Sequence, residues 1–165
     1  MKKLVQFLQA KIVTPMLGFL KQGVTPKKLA LTVALGFIFA IFPVIGSTTI
    51  LCGAVALTLR LNMPAIQLVN YLVYPLQLIL LIPFIRAGEF IFSAKPMPLS
   101  ISQIFSMFKD DLLGAIGTLW WSTLYAITAW LLICPLVAVI IFYLLYPVFK
   151  KLKSRNSLGE ANRNK

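Results

Sequence analysis

Histidine is absent from these 165 residues, and only four acidic side chains stand against sixteen lysines and arginines. The first absence removes the commonest general base and the commonest metal ligand together. Cysteine is scarce too. Cys52 and Cys134 each sit inside an apolar run, which gives neither a zinc-ligand set nor a secreted disulfide framework; both read as small buried side chains. No glycine-rich nucleotide loop occurs, and Asp110-Asp111 stands without a matched partner. The expectation is therefore a protein that is not an enzyme and needs no metal and no cofactor.

What the chain has in quantity is apolar sequence, 59% of its residues, arranged in uncharged stretches long enough to span a bilayer. The net charge of +12 collects at the ends: six lysines lie within residues 1–28 without one acid, and six basic residues lie within 150–165 with only Glu160. Basic ends flanking apolar spans are the positive-inside pattern, and they attract anionic lipid headgroups. Both termini are expected in the cytoplasm. Nucleic acid is excluded as a partner, because the aromatics lie inside the apolar runs rather than among the basic residues.

The organising stretch is Leu29 to Leu59, uncharged but interrupted at its centre. As one helix it would extend roughly 46 Å, too long for a hydrocarbon core of about 30 Å and too short for two crossings with a turn. Pro43 removes a helix donor, Gly46 permits an unusual backbone, and Ser47, Thr48 and Thr49 are capping types. Lys27 and Lys28 precede the run and Arg60 follows it, which puts both ends on one side of the membrane. The stretch thus reads as a re-entrant helical hairpin, with a single tilted, Pro-kinked helix as the alternative. At the start of the second half, free backbone donors and a helix dipole favour an anion such as a phosphate headgroup, with Pro43, Gly46, Ser47, Thr48, Thr49 and Arg60 as its candidate residues. The plainer reading has the hydroxyls capping a structural kink.

The remaining chain divides into a basic interfacial N-terminal helix over 1–28, a broken-helix membrane core over 29–92, a polar loop with an interfacial helix over 93–118, a transmembrane helix over 119–149 and a basic cytoplasmic tail over 150–165. Thr25-Pro26 reads as an N-cap followed by proline at the first helical position. Leu61 to Ile85 carries Asn62, Gln67, Asn70 and Gln77 with Pro64, Pro75 and Pro83, so an unbroken lipid-facing helix is not expected there. Its amides should face the interior and the hairpin, or simply hold helices together. Arg86 and Glu89, three apart, predict a local ion pair, Glu89 being also the one acid placed to carry a proton. Leu99 to Leu113 has one apolar helical face. Gly114 and Gly117 suggest a hinge before Trp120 and Trp121, Pro135 a kink, and the tail from Ser154 should be disordered. The fold class expected is an all-α integral membrane protein with the re-entrant hairpin, about two to four transmembrane helices and interfacial amphipathic helices.

Several ordered patterns resemble the uncharacterised bacterial membrane family known as domain of unknown function twenty-sixty-two. They are Thr25-Pro26, Ala34-Leu35-Gly36, Phe42-Pro43-x-x-Gly46-Ser47-Thr48-Thr49, Arg60-Leu61-Asn62-x-Pro64, Asn70, Pro75-Leu76-Gln77 and Pro83-Phe84. They cover roughly residues 24 to 92 and, more weakly, the C-terminal helix; the adjacent Asn-Pro of many members is here spread over Asn70 and Pro75. The resemblance implies the bacterial inner membrane, carries no established activity, and suggests a glycosyltransferase of envelope biogenesis as a partner. Two function classes result. One is a transporter-like protein that binds or moves a lipid phosphate or other anion; the other is a non-catalytic scaffold for such a glycosyltransferase. A channel would require a homo-oligomer, since so few helices do not enclose a pore.

Overall fold

The computed structural model describes residues 24–98 and 111–163, the stretch 155–163 through its helical backbone alone, together with Gly18, Ser106 and Lys109. Except for Leu112 and Leu113, which open the last helix, and for isolated positions, the interfacial helices expected before Thr25 and over Leu99–Leu113 lie outside the described residues. All regular structure among them is helical: α1 Pro26–Ala40, α2 Thr48–Thr58, α3 Met63–Ile91 and α4 Leu112–Arg163.

The helix starts follow capping chemistry. Thr25 stands at the N-cap of α1, where its hydroxyl accepts from the Lys28 N–H, with Pro26 in the first turn. Asn62 repeats the device on α3: its Oδ1 accepts from the Ala65 N–H at 2.9 Å, and Pro64 sits in the first turn. At the far end of α2 the Leu61 N–H reaches Ala56 O and the Arg60 N–H reaches Leu57 O, a Schellman closure with Arg60 at φ +50°. The end of α3 is closed in the same way through Ser93 and Ala94.

Contacts fix the helix directions. Leu29 and Ala30 of α1 cluster with Ala65 and Val69 of α3 and Phe149 of α4, while Ile38 and Ile41 meet Phe84 and the Ala126–Cys134 stretch of α4. So α1 and α3 run parallel and α4 runs against both. Helix α2 turns back along α3, its Cys52 and Ala56 packing on Ile66. Lys27, Lys28, Arg60, Lys150, Lys151 and Lys153 consequently gather at one end of the bundle.

The packed interior is rich in alanine: Ala30, Ala34, Ala65, Ala126 and Ala129 are all buried, whereas Ile50, Leu57, Ile79, Phe90, Leu132 and Leu144 are exposed. Small residues at helix contacts and large apolar ones outside are what helices packing within lipid require, because water is not there to drive the large ones in. Among the described residues two helices, Met63–Ile91 and the Leu112–Ser154 part of α4, are long and apolar enough to cross a membrane. At Gly88 the approach of α3 to α4 is so close that a Cβ would collide with the Tyr125 carbonyl.

Three expectations change. Helix α3 runs unbroken through Pro75 and Pro83; each proline removes one donor, but both are exposed and α3 is held on its other side by α1, α2 and α4. Gly114 and Gly117 do not hinge, since α4 starts at Leu112, where Asp111 Oδ1 accepts from the Gly114 N–H at 3.0 Å. The polar tail continues the helix to Arg163.

Candidate functional site

The break between α1 and α2 is where the backbone leaves its regular bonding. Ile41 N–H bonds Phe37 O and Phe42 N–H bonds Phe39 O, each at 3.3 Å; Pro43 has no N–H, and Val44 N–H turns back to Phe42 O at 2.8 Å. Gly46 takes φ +88°, which a side-chain-free residue adopts without strain. The Ser47 hydroxyl donates to Val44 O at 2.8 Å and makes no cap on α2. In consequence the N–H groups of Thr48, Thr49 and Ile50 find no acceptor among the described residues. The Thr48 hydroxyl has none either, although Thr48 is only 3% exposed.

Helix α3 carries the amides that hold this break. Gln77 Nε2 donates to Phe42 O at 2.8 Å and to Val44 O at 3.4 Å. Gln67 Nε2 donates to Thr49 O at 3.1 Å, and Asn70 Nδ2 to Thr49 Oγ1 at 3.2 Å and Gln67 Oε1 at 3.3 Å. The amides thus face α2 and the turn. Their other ends are less well served: Asn70 Oδ1 and Gln77 Oε1 are buried without a partner among the described residues. A buried acceptor left unpaired costs about 1–3 kcal/mol, so both positions call for a donor.

On the opposite side Trp130 of α4 donates Nε1–H to Ile38 O at 3.1 Å and sets its ring edge-on to Phe42, centroids 5.0 Å apart. Sequence reasoning missed this residue. The available signal was a tryptophan in mid-run, away from the interfacial positions of Trp120 and Trp121, whose N–H then needs a protein acceptor.

The turn stops at the level of Gln77, and beyond it α3 and α4 continue without α1 between them. A cavity of about 400 Å³ fills the gap, floored by Pro43 and Ile45, walled by Ile85, Leu119 and Ser122, and closed by Met97. Met97 is tied down by Glu89, whose Oε1 accepts from the Met97 N–H at 2.7 Å while its Oε2 pairs with Arg86 Nη1 at 2.7 Å. The expected Arg86–Glu89 ion pair is present, with Glu89 4% exposed.

Not every residue expected around an anion comes together. Arg60 closes the opposite end of α2, which has 11 residues; at about 1.5 Å per residue that is roughly 16 Å from the α2 N-terminus. Asn62 is the N-cap of α3 at the same far end, away from the other three amides of α3. Ser47 spends its hydrogen on Val44 within the turn. Pro43, Gly46, Thr48 and Thr49 do meet there, with Gln67, Asn70 and Gln77 beside them.

No curated protein and no solved structure matches the chain. A family model aligns with residues 14–157, a span that takes in the turn, the α3 amides, the cavity and nearly all of α4. The chain accordingly belongs to DUF2062, a family described as uncharacterized proteins conserved in bacteria.

Proposed function

We propose that α1 and α2 form a re-entrant hairpin in the bacterial inner membrane and that its turn binds a lipid phosphate or similar anion in a transporter-like protein. The observation that carries this reading is the bond from Gln77 to Phe42 O. Helices of 15 and 11 residues extend roughly 22 and 16 Å, too short to cross a core of about 30 Å, whereas the 29 residues of α3 extend roughly 43 Å. Gln77 is the midpoint of α3, so the turn it grips lies about halfway through. The basic end formed by Lys27, Lys28, Arg60 and Lys150–Lys153 then faces the cytoplasm.

Unpaired N–H groups at that depth are costly against hydrocarbon, several kcal/mol each, and broken membrane helices use such groups to hold anions. Three successive donors at Thr48, Thr49 and Ile50, together with the free Thr48 hydroxyl, form one half of a phosphate cradle. The test is amide NMR of the ¹⁵N-labelled protein in lipid nanodiscs titrated with butyl phosphate. The resonances of Thr48, Thr49 and Ile50 shift on this reading, while those of Arg60 and Leu61 stay in place. Shifts confined to the basic end, or none, would overturn it.

A further inference from the structure

We infer that the cavity above the turn receives the hydrocarbon chain of the lipid whose phosphate sits on the α2 N-terminus, so that the ligand is a long-chain lipid phosphate rather than a soluble anion. The inference rests on the phosphate reading and adds the other half of the ligand to it.

The cavity exists because of a mismatch in helix length. Helix α1 ends at Ala40, so the space that its next turns would fill between α3 and α4 stays open. The turn itself makes the floor, which puts the cavity and the free donors on neighbouring residues of one segment, Pro43–Ile45 and Thr48–Ile50. Apolar side chains such as Ile85 and Leu119 make the walls. Thr123 has already turned its hydroxyl to Leu119 O at 2.8 Å. The exception is Ser122, which is 5% exposed, lines the cavity and has no partner for its hydroxyl among the described residues.

Size and outlet select the occupant. At about 30 Å³ for each close-packed group of water size, 400 Å³ accommodates roughly a dozen methylenes. Two lining residues, Ile45 at 54% and Ile82 at 49%, are also exposed on the outer surface, so the mouth is rimmed with apolar side chains. A chain can therefore enter sideways from the bilayer, where a hydrated solute would meet only apolar surface. The buried Ser122 hydroxyl offers one hydrogen bond, which suits the ester oxygen of an acyl chain or the π-face of an unsaturated one. At the other end of the cavity, the Glu89 contact to the Met97 backbone limits how far the chain can run.

The full chain in phosphatidylcholine nanodiscs would be photolabelled with a dodecyl phosphate that carries a diazirine at its terminal carbon, and the labelled residues mapped by mass spectrometry. Labelling at Leu119, Ser122 or Met97, reduced at least fivefold in both Ser122→Leu and Leu119→Phe, is the expected result. Label spread over the outer residues Leu132, Leu136 and Leu144, with neither variant changing it, would overturn the inference. The matching dodecanol probe separates the two readings. If it labels the cavity as strongly as the phosphate does, the chain site stands and the phosphate site falls. If butyl phosphate shifts the turn amides while neither probe enters the cavity, the phosphate site stands and the chain site falls.

Discussion

Trp130 and Gln77 hold the end of α1 from two sides, each through a backbone carbonyl: the indole takes Ile38 O, which the broken helix leaves over, and the amide adds a second donor to Phe42 O, which already accepts from the Val44 N–H. Replacing Gln77 by Leu removes both of its bonds but leaves Phe42 O its Val44 N–H and Val44 O its Ser47 donors, and the orphaned Oε1 goes with it, so the cost should be about 1 kcal/mol. Trp130→Phe removes one bond and should cost about 1 kcal/mol. Since Phe42 touches both residues, the double variant should depart from additivity by 0.5 kcal/mol or more, read by reversible unfolding in mixed micelles; strict additivity would mean that the two grips are independent. At this scale the sequence was informative about Gln67, Asn70 and Gln77, because amides in an apolar run must find partners. It did not show that Arg60 and Asn62 would lie at the end of α2 remote from the turn. Arg60 has a type that suits an anion and Asn62 one that suits a polar contact between helices, but their places next to a helix end and before Met63-Pro64 already matched a C-terminal closure and an N-cap.

Helices α1 and α2 owe their shortness to Pro43 and Gly46, and that break was legible from residue types alone. The continuity of α3 and α4 was not. A proline interrupts a helix only where nothing else supports it; Pro75 and Pro83 are exposed on a helix gripped from its other face, and glycines 114 and 117 lie in a helix already started by Asp111. The contact at Gly88 is similarly a property of two helices rather than of one. Because a side chain there would meet the Tyr125 backbone, Gly88→Val should push α3 from α4 and destabilise by about 3 kcal/mol, as overpacking does. Gly117→Ala, at a position with open space, should be neutral or slightly stabilising on the same unfolding assay. Equal effects at the two sites would contradict the close approach.

For the whole molecule, the defining asymmetry is that α1 and α2 occupy only half the length over which α3 and α4 run. One half of the bundle holds more helices and ends in a basic rim; the other has two helices, a cavity and the strap that Glu89 fastens. No local pattern in the sequence encodes that cavity, since it depends on where α1 stops relative to side chains more than forty positions away. The same asymmetry gives the proposed function its logic: a polar turn at mid-depth, reached from the cytoplasmic side by the backbone and from the bilayer by an apolar mouth. It all depends on α1 and α2 entering and leaving on one side. The most direct measurement introduces cysteines singly at Lys28 and Arg60 and labels them with a membrane-impermeant maleimide in intact cells and in inverted vesicles, the native Cys52 and Cys134 being buried. Both should react only in inverted vesicles; reaction of one from each side would mean that the stretch between them crosses the membrane, and would contradict the account.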